Sequence, residues 1–213
     1  MTAPMPITAN VVEMPKPRKR EVRARLSYMT DEQIAQFLRT AKEYGPREYA
    51  MFLCGLSHGM RASEIANLKI GDINFKSEQI AIHRLKGSLD TVQSLLKVKG
   101  DSLFDEARAL RAWLAVRKAD SMDYVFNSQK SCRLSRVTVY KLFREIACTA
   151  GLPESLCHPH VLKHSLGMKL CRDGANAFIV KQALGHRSFD STLQYIHVSD
   201  VDSSSAIARA FAS

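Results

Sequence analysis

The 213-residue sequence lacks the patterns typical of secreted, membrane-spanning and disulfide-stabilised proteins. Its five cysteines are odd in number and scattered, and they form no Cys-x-x-Cys pair, which argues against a disulfide framework or a zinc knuckle. No apolar run approaches the roughly 18 residues that a membrane helix needs. The N-terminus also lacks the pattern of a secretory signal. We therefore expect an intracellular, soluble protein with reduced thiols.

Acidic residues are also in short supply. The chain has 21 Asp and Glu against 31 Lys and Arg, which gives a net charge of +10 and a pI near 9.5. Such a charge favours a polyanionic partner, with nucleic acid ahead of a membrane surface. A basic protein without a specific DNA partner would have the same composition, so charge alone leaves both possibilities open.

Residues 1–26 differ from the rest of the chain, since they hold four of the seven prolines. Between Lys16 and Arg25, six basic residues against one acid, Glu21, supply half of the net charge. These basic residues are Lys16, Arg18, Lys19, Arg20, Arg23 and Arg25. Because the segment has little to bury, we expect a flexible arm that either lies along a DNA backbone or only improves solubility.

Helical periodicity dominates after residue 26. Thr30 and Gln33 form a capping-box pattern, and Gly45 follows the periodic run, so a first helix is predicted between them. A second helix is expected to begin at Pro46 and to stop at Gly59. Further helices are predicted at residues 62–69, Ser102–Lys118, Ser135–Ala150, His160–Asp173, Ala177–Leu184 and Val201–Phe211.

Between residues 73 and 96 the pattern changes to alternation. Ile80, Ile82 and Val92 alternate with polar neighbours, and turn residues interrupt the pattern twice. The segment therefore predicts a small antiparallel sheet, with Lys86 beside its second turn. The expected fold class is mainly α-helical with one three-stranded antiparallel β-sheet.

Five of the seven histidines lie between His158 and His197, which raises the question of a metal site. His160 and His164 would share one helix face, but no His-Glu-x-x-His motif or suitably spaced acid accompanies them, so we expect no metal. The apolar residues of this region suffice for a packed core. A core by itself, however, gives no reason for the combination of imidazoles, lysines and a tyrosine.

Three motifs in order resemble the signatures of the tyrosine recombinases, the phage integrase family. They are "GLSHGMRASEIANLKIGDI" from Gly55, "HPHVLKHSLG" from His158 and "ALGHRSFDSTLQY" from Ala183. A lysine-bearing hairpin lies between the first two, and His186 precedes Tyr195 by nine residues, as in the family. The resemblance covers residues 27 to 200 and implies the tyrosine recombinase catalytic-domain fold.

The resemblance implies a role for each unusual residue. Tyr195 would be the nucleophile, Arg61 a phosphate-binding cation supported by Glu64, and Lys86 the hairpin lysine that protonates the leaving oxygen. His160 and His186 would donate to the phosphate, while His158, His164 and His197 are left to structure or surface. These roles suit DNA cleavage through a covalent tyrosyl ester, without a metal or other cofactor.

One position departs from the family pattern. The second signature is His-x-x-Arg, whereas Lys163 stands at the arginine position here. An ammonium lacks the planar fork that grips two phosphate oxygens, so the replacement is not conservative. We expect a loss of transition-state stabilisation on the order of 2 to 4 kcal/mol.

The family resemblance also suggests partners and organisation. We expect double-stranded DNA as substrate, a homotetramer on DNA assembled through the 201–211 helix, and accessory DNA-bending proteins or a partner recombinase. A catalytic domain at 27–213 without a separate core-binding domain is most similar to the small fimbrial phase-variation invertases. The location would be cytoplasmic and nucleoid-associated, in a bacterium, phage or mobile element. A DNA-binding regulatory protein of the same fold and a topoisomerase-like relaxing enzyme remain alternatives.

Overall fold

The computed structural model describes residues 26–85, 87–100, 102–118, 123–128 and 133–196. The helices are α1 (Asp31–Tyr44), α2 (Pro46–Ser57), α3 (Ala62–Asn67), α4 (Glu106–Val116), α5 (Arg136–Thr149), α6 (His160–Arg172), α7 (Ala177–Leu184) and α8 (Asp190–Leu193). The strands are β1 (Ile73–Asn74), β2 (Gln79–Ile82) and β3 (Thr91–Ser94), in the order β1-β2-β3. Short 3-10 turns lie at Ile70–Asp72 and Glu154–Leu156. The predicted helical class with a three-stranded antiparallel sheet is confirmed.

The first two helices begin for the reasons that the sequence predicted. The Thr30 hydroxyl accepts from the Gln33 amide at 3.3 Å, and the Gln33 side chain accepts from the Thr30 amide at 2.9 Å. Gly45 has a φ of 147°, a backbone conformation that favours glycine, and Pro46 follows at the start of α2. A single residue, Gly45, therefore connects α1 to α2.

The core surrounds α2, in which every residue from Glu48 to Leu56 is buried. Phe52 of α2 packs against Phe37 of α1 and Phe143 of α5, with ring centroids 5.5 and 5.4 Å away. The Phe37 and Phe143 rings are themselves 4.7 Å apart. These contacts join α1, α2 and α5 into one layer, on which α3 and α6 are placed. No helix in the described ranges combines the length and apolarity needed to cross a membrane.

The sheet corrects one detail of the prediction. Ile80 and Ile82 are buried as expected, but Val92 is 67% exposed. The register pairs Ile82 with Thr91, and Val92 with Ala81, so alternation along β3 turns Thr91 inward and Val92 outward. Of the two neighbours Thr91 and Val92, the polar residue is thus the buried one.

Helix boundaries differ from prediction mainly at α4, which begins at Glu106, four residues after Ser102. The Ser102 hydroxyl accepts from the Phe104 amide and closes a turn there, while the Asp105 carboxylate caps the helix at the Arg108 amide. The remaining predicted helices, from 62–69 to Ala177–Leu184, end within two residues of their expected bounds. The predicted arm at 1–26 and the predicted helix at Val201–Phe211 lie outside the described residues, apart from Leu26.

Candidate active site

Arg61 stands at the N-terminus of α3, where Glu64 holds it at both ends. The Glu64 carboxylate accepts from the Arg61 amide at 2.9 Å and from its guanidinium at 2.7 Å. The same guanidinium nitrogen also donates to the Ser88 hydroxyl at 3.2 Å. All of the side-chain contacts of Arg61 come from Nη1, and no described residue is paired with the other two guanidinium nitrogens. Glu64 and Ser88 therefore orient the guanidinium from one side, and its remaining N–H donors make no hydrogen bond with a described residue.

Arg84 is a second cation that contacts Glu64, and it belongs to none of the three sequence motifs. Its side chain is fully buried and donates to the Glu64 carboxylate at 3.2 Å. It also donates to three backbone carbonyls, those of His58, Gly59 and Ala183, at 2.8 to 3.1 Å. Because side chains alternate along a strand, Arg84 is expected on the same inward face as Ile80 and Ile82. This alternation is the sequence signal that could have identified Arg84 as buried.

The charges around Glu64 keep its buried carboxyl group ionised. Burial is the largest influence on the Glu64 carboxyl and raises its pKa. Hydrogen bonds from the Arg61 amide and guanidinium, with the nearby Arg84 charge, outweigh burial and hold that pKa below its usual value. One carboxylate is thus shared by two guanidinium groups.

Helix α6 carries three side chains that line the site, those of His160, Lys163 and His164. Lys163 is buried, and its ammonium donates to the Leu184 carbonyl at 2.6 Å. Burial, together with the charges of Arg61 and Arg84, lowers the pKa of Lys163 to about 7. Burial and the same Arg61 charge lower the pKa of His160. Both groups therefore sit where positive charge is already concentrated.

Tyr195 packs against α6 with its ring buried, and burial raises the pKa of its phenol. Its hydroxyl oxygen lies 2.8 Å from Nδ1 of His164. A side chain at Gly167 would come within 2.8 to 3.0 Å of three Tyr195 ring atoms, so the close approach needs glycine there. His164 had been left to structure or surface, whereas the structure puts it beside Tyr195.

His186 reaches the same place from the end of α7. Gly185, with a φ of 63°, ends α7 in the left-handed conformation, and the His186 amide donates back to the Lys181 carbonyl at 3.0 Å. The His186 Nδ1 lies 2.9 Å from the Thr192 hydroxyl, and its ring stacks on that of Tyr195 at 6.2 Å. Burial and the neighbouring Lys163 charge lower the pKa of His186 to about 4.

These residues line one cavity of about 380 Å³. Of the predicted site residues it gathers Arg61, His160, Lys163, His186 and Tyr195, with Glu64 beneath Arg61. Its described lining contains no Asp or Glu. Lys86 and the basic residues of the arm lie outside the described residues. Leu85, next to Lys86, is held at the site because its amide donates to Glu64 and its carbonyl accepts from Arg61.

Two groups of potential metal ligands occur in the described part of the chain, and neither includes His160 or His164. In the buried group of Cys54, His58 and Glu106, the His58 ring already bonds the Glu106 carboxylate at 2.8 Å and the Gln93 side chain at 2.6 Å. The other group combines Cys148, near the end of α5, with Glu154 and Cys157 in the turn that precedes α6. The cavity itself is lined by groups suited to an anion.

Comparison with known proteins agrees with this geometry. The Phage integrase family profile matches residues 27–201. The type 1 fimbriae regulatory protein FimB of Escherichia coli K12 is 34% identical over 174 residues, or 79% of this chain and 83% of FimB. The XerH site-specific recombinase, in its pre-cleavage complex with difH substrate, has a TM-score of 0.71 at 21% identity, covering 89% of this chain and 56% of that chain. The catalytic domain of bacteriophage HP1 integrase has a TM-score of 0.60 at 21% identity, covering 86% and 94%. The expected tyrosine recombinase catalytic-domain fold is thus confirmed.

Proposed function

This chain belongs to the phage integrase family, and from that premise we propose that it is a site-specific DNA recombinase acting through a covalent 3′-phosphotyrosyl intermediate at Tyr195. The observation that carries the proposal is the single cavity that Tyr195 lines together with Arg61, Lys163 and three histidines, His160, His164 and His186. A phenol beside cationic and imidazole donors is the arrangement that phosphoryl transfer to tyrosine requires.

In the proposed step the Tyr195 oxygen attacks the phosphorus of one strand. The new oxygen–phosphorus bond forms as the bond to the 5′ oxygen breaks, and the phenol proton must leave. The 5′ oxygen takes a proton from Lys86, and reversal of the same steps rejoins the strands. Because the ester keeps the energy of the phosphodiester, no cofactor is needed.

The remaining residues would stabilise the charge that builds on the nonbridging oxygens. The Arg61 guanidinium nitrogens that pair with no described residue would bind such an oxygen, while Glu64 fixes the orientation of the group. His186 Nδ1 is paired with the Thr192 hydroxyl, and in the tautomer in which Nδ1 accepts, the Nε2–H group would donate to phosphate. His160 and the Lys163 ammonium would complete the set.

Double-stranded DNA is the proposed partner. XerH, which shares this fold, is bound to its difH substrate in the solved structure, and this supports the proposal. The basic residues between Lys16 and Arg25 would add contacts to the phosphate backbone. Four protomers on two duplexes, joined through the 201–211 segment and assisted by accessory DNA-bending proteins, complete the proposed assembly.

A covalent trap tests this function. Binding sites are first selected from random duplexes, and each is then nicked near the candidate cleavage point so that the freed end diffuses away. We expect an adduct that survives denaturation and maps to Tyr195 by mass spectrometry. Tyr195→Phe should abolish it, and Tyr44→Phe, which removes a hydroxyl on α1, should leave it intact. An adduct at another residue, or one kept by Tyr195→Phe, would refute the proposal.

Lys163 favours a second candidate, a DNA-binding regulatory protein with weak catalysis. A point ammonium that already donates to the Leu184 carbonyl offers phosphate fewer donors than an arginine fork. This candidate predicts sequence-specific binding without an adduct in the natural protein, and an adduct only in Lys163→Arg. The same trap therefore separates the two functions.

A further inference from the structure

His164 is placed to handle the proton of Tyr195. Its Nδ1 lies 2.8 Å from the phenolic oxygen, and no other described residue makes a hydrogen bond to that oxygen. The phenol carries its proton, since burial raises its pKa. Tyr195 therefore donates to Nδ1, and the imidazole proton resides on Nε2. An Nδ1–H tautomer would leave the phenolic proton without an acceptor among the described residues.

Neither of the other two imidazoles that line the cavity makes a described hydrogen bond with this hydroxyl. The His186 ring is stacked on the Tyr195 ring, at 11° between planes, and its Nδ1 is occupied by Thr192. The His160 ring meets the edge of His164 at 4.4 Å instead of the phenol. His164 thus stands between the first histidine of the motif and the nucleophile.

The surroundings of His164 keep it neutral before DNA binds. Burial, followed by the charges of His160, His158 and Lys163, lowers its pKa to about 4. The titratable groups around it are Tyr195, His158, His160, Lys163 and His186, and none of them is a carboxylic acid. A bound phosphodiester would bring negative charge into this cavity and stabilise an imidazolium there.

We propose, on the basis of the recombinase function above, that His164 is the general base that takes the proton from Tyr195 during cleavage. The phenolic proton moves to Nδ1 as the oxygen–phosphorus bond forms and the bond to the 5′ oxygen breaks. During rejoining the proton returns from Nδ1 to the tyrosine oxygen. No oxidant or further reactant enters the step.

The test compares single-turnover rates of adduct formation for the full chain on the nicked duplex. In His164→Asn the side-chain amide keeps a polar atom near the position of Nδ1 but cannot accept a proton at neutral pH. We expect a rate loss on the order of 100-fold, as for other positioned bases. The matched control is His83→Asn, which removes an exposed imidazole on the hairpin, and it should retain the natural rate.

Two readouts separate proton transfer from mere positioning. The ratio of natural to His164→Asn rates should shrink as pH rises, because hydroxide can replace the base in the variant. A substrate with sulfur at the 5′ bridging position needs no protonation of its leaving group, so it should rescue Lys86→Ala but not His164→Asn. Added imidazole should restore part of the rate of His164→Ala.

The outcomes are distinct from those of the proposed function. If the natural protein forms no adduct, the recombinase function itself fails. If it forms one and His164→Asn keeps the natural rate, His164 is no base. A slow His164→Asn with a pH-independent rate ratio, or one rescued by the sulfur substrate, would also overturn the proposal.

Discussion

The Lys163 ammonium lies 2.6 Å from the Leu184 carbonyl oxygen, so the residue that departs from the family motif binds the last residue of α7. This contact ties α6 to the helix end that carries His186. It also places a buried cation, with a pKa lowered to about 7, at the floor of the cavity. The departure from arginine thus has a structural and an electrostatic consequence.

When DNA is below saturation, so that the ionisations of the free protein govern the rate, adduct formation should become slower as pH rises through about 7. Burial, Arg61 and Arg84 lower the pKa of Lys163 and Glu64 raises it, so the ammonium is present below pH 7 and lost above it. Lys163→Arg keeps its charge, and the ratio of its rate to the natural rate should rise by up to about tenfold per pH unit. Lys76→Arg, in an exposed turn, is the control. An equal ratio at pH 6 and pH 8.5 would contradict the assignment.

Gly167→Ala should inactivate the site more than it harms the fold. Its new methyl group would lie 2.8 to 3.0 Å from the Tyr195 ring and push the phenol from His164. We expect a loss of adduct on the order of 100-fold, with unfolding free energy lowered by about 1 to 3 kcal/mol. Thermal melting and trapping measure the two effects. Gly71→Ala, with open space around it, should change neither much.

Arg84→Met should strongly destabilise the protein. The substitution removes the hydrogen-bond donors to three buried backbone carbonyls, and it leaves the buried Glu64 carboxylate with one cationic partner fewer. We expect denaturant unfolding to give a loss of about 3 to 5 kcal/mol. Lys97→Met breaks the exposed pair with Glu78 and should cost less than about 1 kcal/mol. Similar losses for both variants would rule out a structural role for Arg84.

Gly185→Ala should combine backbone strain with a collision. The residue has a φ of 63°, and a methyl group there would lie 2.7 Å from the Leu89 carbonyl and 2.9 Å from Arg84 Nε. Gly174→Ala is the matched control, because its φ is 82° but nothing lies nearby. We expect a loss of about 1 kcal/mol in the control and a clearly larger one at Gly185. Adduct formation should fall only in Gly185→Ala, since His186 follows it.

Much of the helical framework could be predicted because its causes are local. Thr30 with Gln33 caps α1, and Pro46 begins α2, within a few residues of sequence. The strand with Val92 was located correctly but its outward face was not, because register depends on the partner strand. Arg84 was accessible to the same alternation, yet a charged residue at an inward position carries no meaning until Glu64 and its other acceptors are known.

The sequence by itself determined the family, the order of the motifs and the identity of Tyr195, Arg61 and His186 as candidates, because spacing along the chain records those. Only the tertiary structure decided that His164 meets the Tyr195 hydroxyl and that Lys163 bonds Leu184. The partners in these pairs are 31 and 21 residues apart. Their contacts depend on how α6 packs against α7 and on the space left by Gly167. Such contacts arise from packing between elements, which local pattern does not specify.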